Sequence, residues 1–175
     1  LPFFLTPDKH YIGVAWYQKK VTIPSNWKEE RITLFLERPH IETTVWVNQQ
    51  ELGMQNSLCV PHVYDLTSAV TPGKTCLITI RIDNRIKEIN VGPDSHSITD
   101  QTQGNWNGIV GRIELQATPK VHFEDIQIYP DLNNQKALVR MNIQSASSTK
   151  GDITLSAESF NTDTQHKVAP VQQSF

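Results

Sequence analysis

Neither sign of charge is in excess in this 175-residue chain: 16 Lys and Arg stand against 18 Asp and Glu, a formal net charge of −2. A nucleic-acid binder usually carries a basic surplus along one face, so the balance argues against that class. Cysteine is nearly absent. Cys59 and Cys76 are too few for a disulfide framework; they pair once or sit apart as two small buried thiols. No apolar run approaches the ~18 residues of a membrane span. No Asn-x-Ser/Thr sequon and no Gly-x-Ser-x-Gly elbow occurs. The histidines, His10, His40, His62, His96, His122 and His166, form no i, i+4 pair, and there is no Cys-x-x-Cys, so no metal site or cofactor is expected. Gly73-Lys74-Thr75 mimics the end of a phosphate loop, but position 68 is Ser68 where a glycine is required. The tripeptide reads as a turn opening a strand.

What is abundant is β-branched. Ile, Val and Thr number 16, 13 and 16, against 12 Leu and 7 Ala. Such side chains lose rotamer freedom in helices and suit a pleated surface, so the composition is all-β. Asn and Gln, 11 and 13, suit turns and sugar hydroxyls equally.

The alternation along the chain follows suit. Val14 to Ile23 is aromatic-rich and stops at Pro24, where Pro24-Ser25-Asn26-Trp27 signals a turn. Ile32, Leu34 and Leu36 share one face of a strand over Arg31 to Glu37. Ile41 to Asn48 and Lys74 to Asp83 are further strands, the latter with Cys76, Ile78, Ile80 and Ile82 in phase; Pro61 to Leu66 is a short extended piece. Asn48 to Glu51 closes a hairpin, and Pro72-Gly73 makes a turn. Asp83 to Thr102 is long and polar, a length that in compact domains marks function or disorder. Ile109 to Gln116 is a strand, and Ala117-Thr118-Pro119 is a natural joint. Beyond it, the phase changes at Glu124-Asp125 as a β-bulge produces. Ala137 to Gln144 and Ile153 to Ser159 alternate again, and the last fifteen residues are polar. The pattern predicts about nine strands at sandwich spacing. They fall in two groups, 1–119 and 120–175. A seven-stranded sandwich needs about 100 residues, so the second group is expected to be a truncated domain with unpaired edges that invite pairing between chains.

Sugar chemistry needs two carboxylates flanking the glycosidic bond. Asp94 with Asp100, and Glu124 with Asp125, are the carboxylate pairs to consider, and both read as surface or turn residues. The segment Ser97 to Leu115 is more specific, because Asp100, Asn105 and Trp106 combine an acid, an amide and an indole ahead of a strand. Acid and amide suit sugar hydroxyls, and an indole face packs on the apolar face of a pyranose. The plainer alternative is that Trp106 fills the mouth of the sandwich and Asp100 caps a turn.

These residues occur in a familiar order. Gly13-Val14-Ala15-Trp16-Tyr17, Val21-Thr22-Ile23-Pro24, Leu34-Phe35-Leu36-Glu37 and Thr44-Val45-Trp46-Val47-Asn48 are followed by Tyr64-Asp65-Leu66-Thr67. Then come Thr71-Pro72-Gly73-Lys74, Leu77 to Ile82, Asp100, Trp106, Gly108-Ile109-Val110 and Ile113-Glu114-Leu115. From about Gly13 to Asp131 the chain resembles the N-terminal sugar-binding domain of family 2 glycoside hydrolases, the β-galactosidase, β-glucuronidase and β-mannosidase group. The resemblance implies a jelly-roll sandwich over 1–119 and the start of an immunoglobulin-like sandwich over 120–175. A catalytic barrel carrying both glutamates would follow. It further implies that Asp100 touches the sugar, with Asn105 and Trp106 as neighbours lining the substrate site, and that a parent enzyme is a retaining hydrolase working in the periplasm or outside the cell. The chain departs from the family at Asn48-Gln49-Gln50, where Asn-Gly is common, and at Gly111-Arg112, where the arginine falls one residue late. The strand ahead of Trp16 is also short. Because the chain opens at Leu1-Pro2 without methionine, it reads as a piece of something longer.

The expected function is therefore a non-catalytic front portion of a β-galactosidase-like enzyme, inactive alone. Its partner would be a carbohydrate held jointly with a barrel, with neither nucleic acid nor membrane involved. The alternatives are a free-standing carbohydrate-binding module and a structural sandwich without a sugar role.

Overall fold

The computed structural model describes residues 11–85, 87, 107–145, 149–158 and 167–175. The chain divides into two compact units, Leu1–Pro119 and Lys120–Phe175.

The first unit is a sandwich of two antiparallel sheets. Its strands are β1 (Val14–Thr22), β2 (Glu30–His40), β3 (Glu42–Val47), β4 (Gln50–Asn56), β5 (His62–Asp65), β6 (Thr75–Asp83) and β7 (Gly108–Pro119). One sheet runs β1-β6-β3-β4 and the other β5-β2-β7. Period two assigns the faces. Val45 and Val47 of β3 and Cys76, Ile78, Ile80 and Ile82 of β6 are buried against Ile32, Leu34 and Leu36 of β2 and Tyr64 of β5. Each fully buried Ile or Leu contributes about 1.5–3 kcal/mol by removal from water. After Pro24, residues Ser25–Trp27 form one 3-10 turn, with Trp27 N–H bonded to the Pro24 carbonyl at 3.2 Å. Gly73 sits in the turn that opens β6, where Lys74 N–H reaches the Thr71 carbonyl at 3.0 Å.

Two strand edges meet differently on the two open sides of the sandwich. Between β4 and β5 the Gln55 carboxamide acts as a strand surrogate: its Nε2 donates to the Val63 carbonyl at 2.6 Å and its Oε1 accepts from Val63 N–H at 3.2 Å. Between β1 and β7 a groove of about 460 Å³ remains, lined by Tyr17, Val21, Leu34, Ile80, Ile113 and Leu115.

A bulge explains the late arginine. Leu36 pairs with Ile113 and Arg38 with Val110, so Gly111 and Arg112 together oppose Glu37. Gly111 takes φ +84°, and the Glu37 carboxylate accepts from Arg112 N–H at 2.9 Å and Arg112 Nε at 3.0 Å. Arg112 also lies over the Phe35 ring, 4.9 Å from its centroid.

In the second unit β8 (His122–Asp131) pairs with β9 (Lys136–Gln144), and β10 (Asp152–Glu158) with β11 (Lys167–Ser174). The register shift between Phe123 and Asp125 places Glu124 as a bulge residue, where the change of phase predicted one. Glu124 is exposed and accepts from Gln144 Nε2 at 2.7 Å, an ordinary surface contact. No described side chain of this unit is buried.

The structure adds two strands that the alternation does not mark, β4 and, through the polar tail, β11; and one expectation is corrected: the cysteines are not both buried, since Cys76 is buried while Cys59 is exposed, each a free thiol.

Candidate functional site

The sugar-contacting residues expected from the sequence, Asp100, Asn105 and Trp106, lie outside the described residues, as does Asp94. What the structure does describe is the pair of stems from which that segment leaves and returns: the end of β6 and the start of β7.

The leaving stem is built on Asp83, whose side chain has no exposed surface. A bare buried carboxylate is prohibitively unfavourable, so it is paired. Its Oδ2 accepts from Arg81 Nη2 at 2.9 Å, Arg85 Nη2 at 2.7 Å and Lys87 Nζ at 3.0 Å, and its Oδ1 from Arg85 Nε at 2.8 Å. Glu42, opposite Asp83 in register, takes Arg81 Nη1 at 2.8 Å and Lys87 Nζ at 2.9 Å. The Arg85 hydrogen bonds outweigh burial and, with Lys87, hold the Asp83 carboxyl far below the ordinary range. Burial pushes Glu42 upward, but Lys87 and Arg81 together bring it below its usual value. Both carboxylates are thus locked as anions, which makes them anchors and unsuits them as proton donors near neutral pH.

The returning stem is tied to the leaving one by Asn84. Its Oδ1 accepts from Gly13 N–H at 2.8 Å, and its Nδ2 donates to the Tyr11 carbonyl at 2.7 Å and to Asn107 Oδ1. One carboxamide therefore fastens β1's lead-in, the end of β6 and the start of β7. Beside it Gly108 takes φ +78°, and a Cβ there would displace the Tyr17 hydroxyl, so the position favours glycine. The pocket formed by Tyr11, Gly13, Tyr17, Asn84, Asn107 and Gly108 has a volume of about 140 Å³. Ligand pockets run from about 300 Å³ upward, so this one alone does not enclose a hexose.

A second polar cluster lies inside the sandwich. His62 Nε2–H donates to the Ser57 carbonyl at 3.1 Å, which leaves Nδ1 to accept from the Thr43 hydroxyl at 2.6 Å. Tyr64 O–H donates to the Thr43 carbonyl at 2.8 Å. Burial pushes the His62 imidazolium to a lower pKa and the Tyr64 phenol to a higher one. Both are neutral, hydrogen-bonded core groups. Among the described residues no group of three or more His, Cys, Asp or Glu could hold a metal ion.

The sequence reading missed Asn84 and the Arg81, Asp83, Arg85, Lys87 set. The charges recur at every second position off the end of the clearest strand, a pattern present in the sequence; the partners of Asn84, 23 to 73 residues away, have no such local mark.

The family model described as glycosyl hydrolases family 2, sugar binding domain, matches residues 3–119. The β-glucuronidase of Paenibacillus borealis is 23 % identical, the alignment covering 83 % of this chain and 26 % of that protein. The human β-glucuronidase is 24 % identical over 91 % of this chain and 27 % of its own length. A β-galactosidase of Priestia megaterium is 26 % identical over 71 % of this chain and 11 % of that protein. The crystal structure of Ruminococcus gnavus β-glucuronidase superposes with a TM-score of 0.70 at 18 % identity, covering 93 % of this chain and 28 % of that one. The chain spans about a quarter of the length of the first of these curated relatives.

Proposed function

The chain belongs to the sugar-binding domain family of the family 2 glycosyl hydrolases, and from that premise we propose that it works as the non-catalytic front of a β-glucuronidase- or β-galactosidase-like enzyme. In this reading residues 1–119 are a jelly-roll sugar-binding domain and 120–175 the beginning of an immunoglobulin-like sandwich. The segment between β6 and β7 lines part of a sugar pocket whose acid and nucleophile belong to a catalytic barrel. Asp100 contacts a sugar hydroxyl, with Asn105 and Trp106 beside it.

The observation that carries this reading is the family match spanning the whole of that segment, together with the Asn84 clasp that holds its two stems side by side. The 140 Å³ pocket at the stems supports it too, since it would make one wall of a site and not a whole one. The ligand is a carbohydrate. Pairing of copies through exposed edge strands, and a periplasmic or extracellular location, belong to the same proposal. Among the described residues no helix is long and apolar enough to cross a membrane.

The test has two parts. The chain alone should not hydrolyse nitrophenyl β-glucuronide or β-galactoside; turnover by homogeneous protein would sink the proposal. In the enzyme encoded by the parent reading frame, Asp100→Asn should lower kcat/KM by about 10²-fold, the scale of one lost polar contact to the reacting sugar. An unchanged kcat/KM removes Asp100 from the site. A reading frame that ends without a barrel leaves the free-standing carbohydrate-binding module as the better account.

A further inference from the structure

The outer face of the sheet β1-β6-β3-β4 carries side chains that solvent-facing strands normally avoid. Trp16 is 60 % exposed, and Met54 is 55 % exposed. Trp46 lies against Trp16 with ring centroids 5.6 Å apart. The register orders this face in rows that cross the sheet from β1 to β4. One row runs Trp16, Arg81, Thr44, Met54, and the next runs Gln18, Thr79, Trp46, Glu51. Lys20 comes next on β1, opposite Leu77. Tryptophan, methionine and arginine are the residues enriched where two proteins meet. Exposed apolar patches rimmed by polar groups mark binding surfaces.

The charges on this face fall into two sets. At one end Arg81, Arg85 and Lys87 share Asp83 and Glu42, an ion-paired cluster with one cation over. Lys20 and Glu51 stand apart on the two outer strands, β1 and β4. Both are exposed, and among the described residues neither joins an ion pair. Three strand spacings, about 14 Å, keep them from each other within one copy. A purely apolar partner would leave both unmatched, and a partner of one sign would match only one. A surface with an acid where this face has a base, and a base where it has an acid, is the same face turned over. A two-fold axis along the strands lays β4 of one copy over β1 of the other at the same level. Met54 of each copy then meets Trp16 of the other, a favourable sulfur–aromatic contact. Glu51 of each lies one row, about 7 Å, from Lys20 of the other, a distance the long lysine side chain spans. The two ion-paired clusters meet at the end of the face, where water and salt screen their single surplus charges.

We propose that this face pairs with a second copy of itself as a two-fold dimer, closed by Trp16 against Met54 and by Lys20 against Glu51. The contact is face to face, distinct from pairing through strand edges, and does not rest on the sugar reading. Four strands of this length cover roughly 500 Å². About 1,000 Å² is then buried in total, the low end for specific pairs, so the dimer is a weak one.

The experiment is sedimentation velocity on the 175-residue chain from about 5 to about 500 µM, a range that brackets the affinity of so small an interface. The sedimentation coefficient should climb from that of a monomer to that of a dimer. Met54→Lys should raise the dimer Kd about tenfold or more, as loss of a central contact does. Trp16→Ala should do the same while its far-ultraviolet circular dichroism stays that of the parent. Glu51→Lys and Lys20→Glu should each raise the Kd about fivefold, the scale of an exposed ion pair. The double variant restores opposite charges and should return the Kd to near its starting value. A monomer throughout the range would overturn the proposal. So would a dimer that survives Met54→Lys, the mark of edge-strand pairing, or charge variants whose effects simply add. Should Trp16→Ala not fold, the variants at Met54, Glu51 and Lys20, all exposed positions, decide alone.

Discussion

At the scale of single residues, two buried groups of opposite kind set how the fold responds to acid. His62 is held neutral, its pKa pushed below the ordinary 6.5 by burial. Above that value neither folded nor unfolded chain is charged there. As pH falls through it, the unfolded chain binds the proton and the folded one resists, so stability declines. Asp83 acts lower down. Its folded pKa lies far below the ordinary 3.8, so its contribution is complete above that value and is lost as pH falls below it. The melting temperature should therefore fall in two stages, one beginning near pH 6.5 and one below about pH 4. Asp83→Ala takes the buried carboxylate from Arg85 and leaves Arg81 and Lys87 with Glu42 alone, and should cost about 3 kcal/mol at neutral pH. It should also shrink the lower stage, to which the lowered Glu42, Glu37 and Asp65 carboxyls still contribute, while leaving the upper one in place. Thermal melts of both proteins from pH 8 to 3 measure this, and an unaltered lower stage in the variant would count against the Asp83 assignment.

At the scale of elements, legibility followed burial. β2, β3 and β6 bury one face, so their apolar residues recur with period two and could be read directly. β4 and β11 could not. β4 is a sheet edge whose residues are mostly exposed or half exposed and include Gly53, while β11 holds Pro170, Gln172 and Gln173. An edge with water on several sides has no hydrophobic period to display. The site was legible only through the resemblance, since an acid, an amide and an indole in a loop have many uses. The clasp that positions their stems joins residues far apart in sequence and has no local signature. The bulge between β2 and β7 lies between these cases: Gly111 was visible as a departure, but its reason is the left-handed φ together with the Glu37 carboxylate. A Cβ on Gly111 would stand 2.7 Å from Glu37 Oε2. Gly111→Ala should therefore destabilise the first unit by about 1–3 kcal/mol, from backbone strain plus a displaced carboxylate. Urea unfolding measures it, as a lower midpoint at unchanged slope.

At the scale of the whole molecule, stability is unevenly shared. Every described side chain classed as buried belongs to the first unit. The second offers two hairpins whose large apolar residues stay in water, among them Ile128 and Leu138. Isolated two-stranded hairpins are marginal at best, and strands whose described side chains share no buried core do not recover their conformational entropy. Cooperative unfolding of the chain should then be that of the sandwich alone. Ending the chain at Pro119 should shift the urea midpoint by less than about 0.5 M, which at a slope of about 1–3 kcal/mol per molar is a small part of the total. Residues 120–175 produced alone should show no cooperative transition and should bind a hydrophobic dye. A sharp transition in that piece would mean that its strands bury a core of their own. A large loss on truncation would mean instead that the two units stabilise each other.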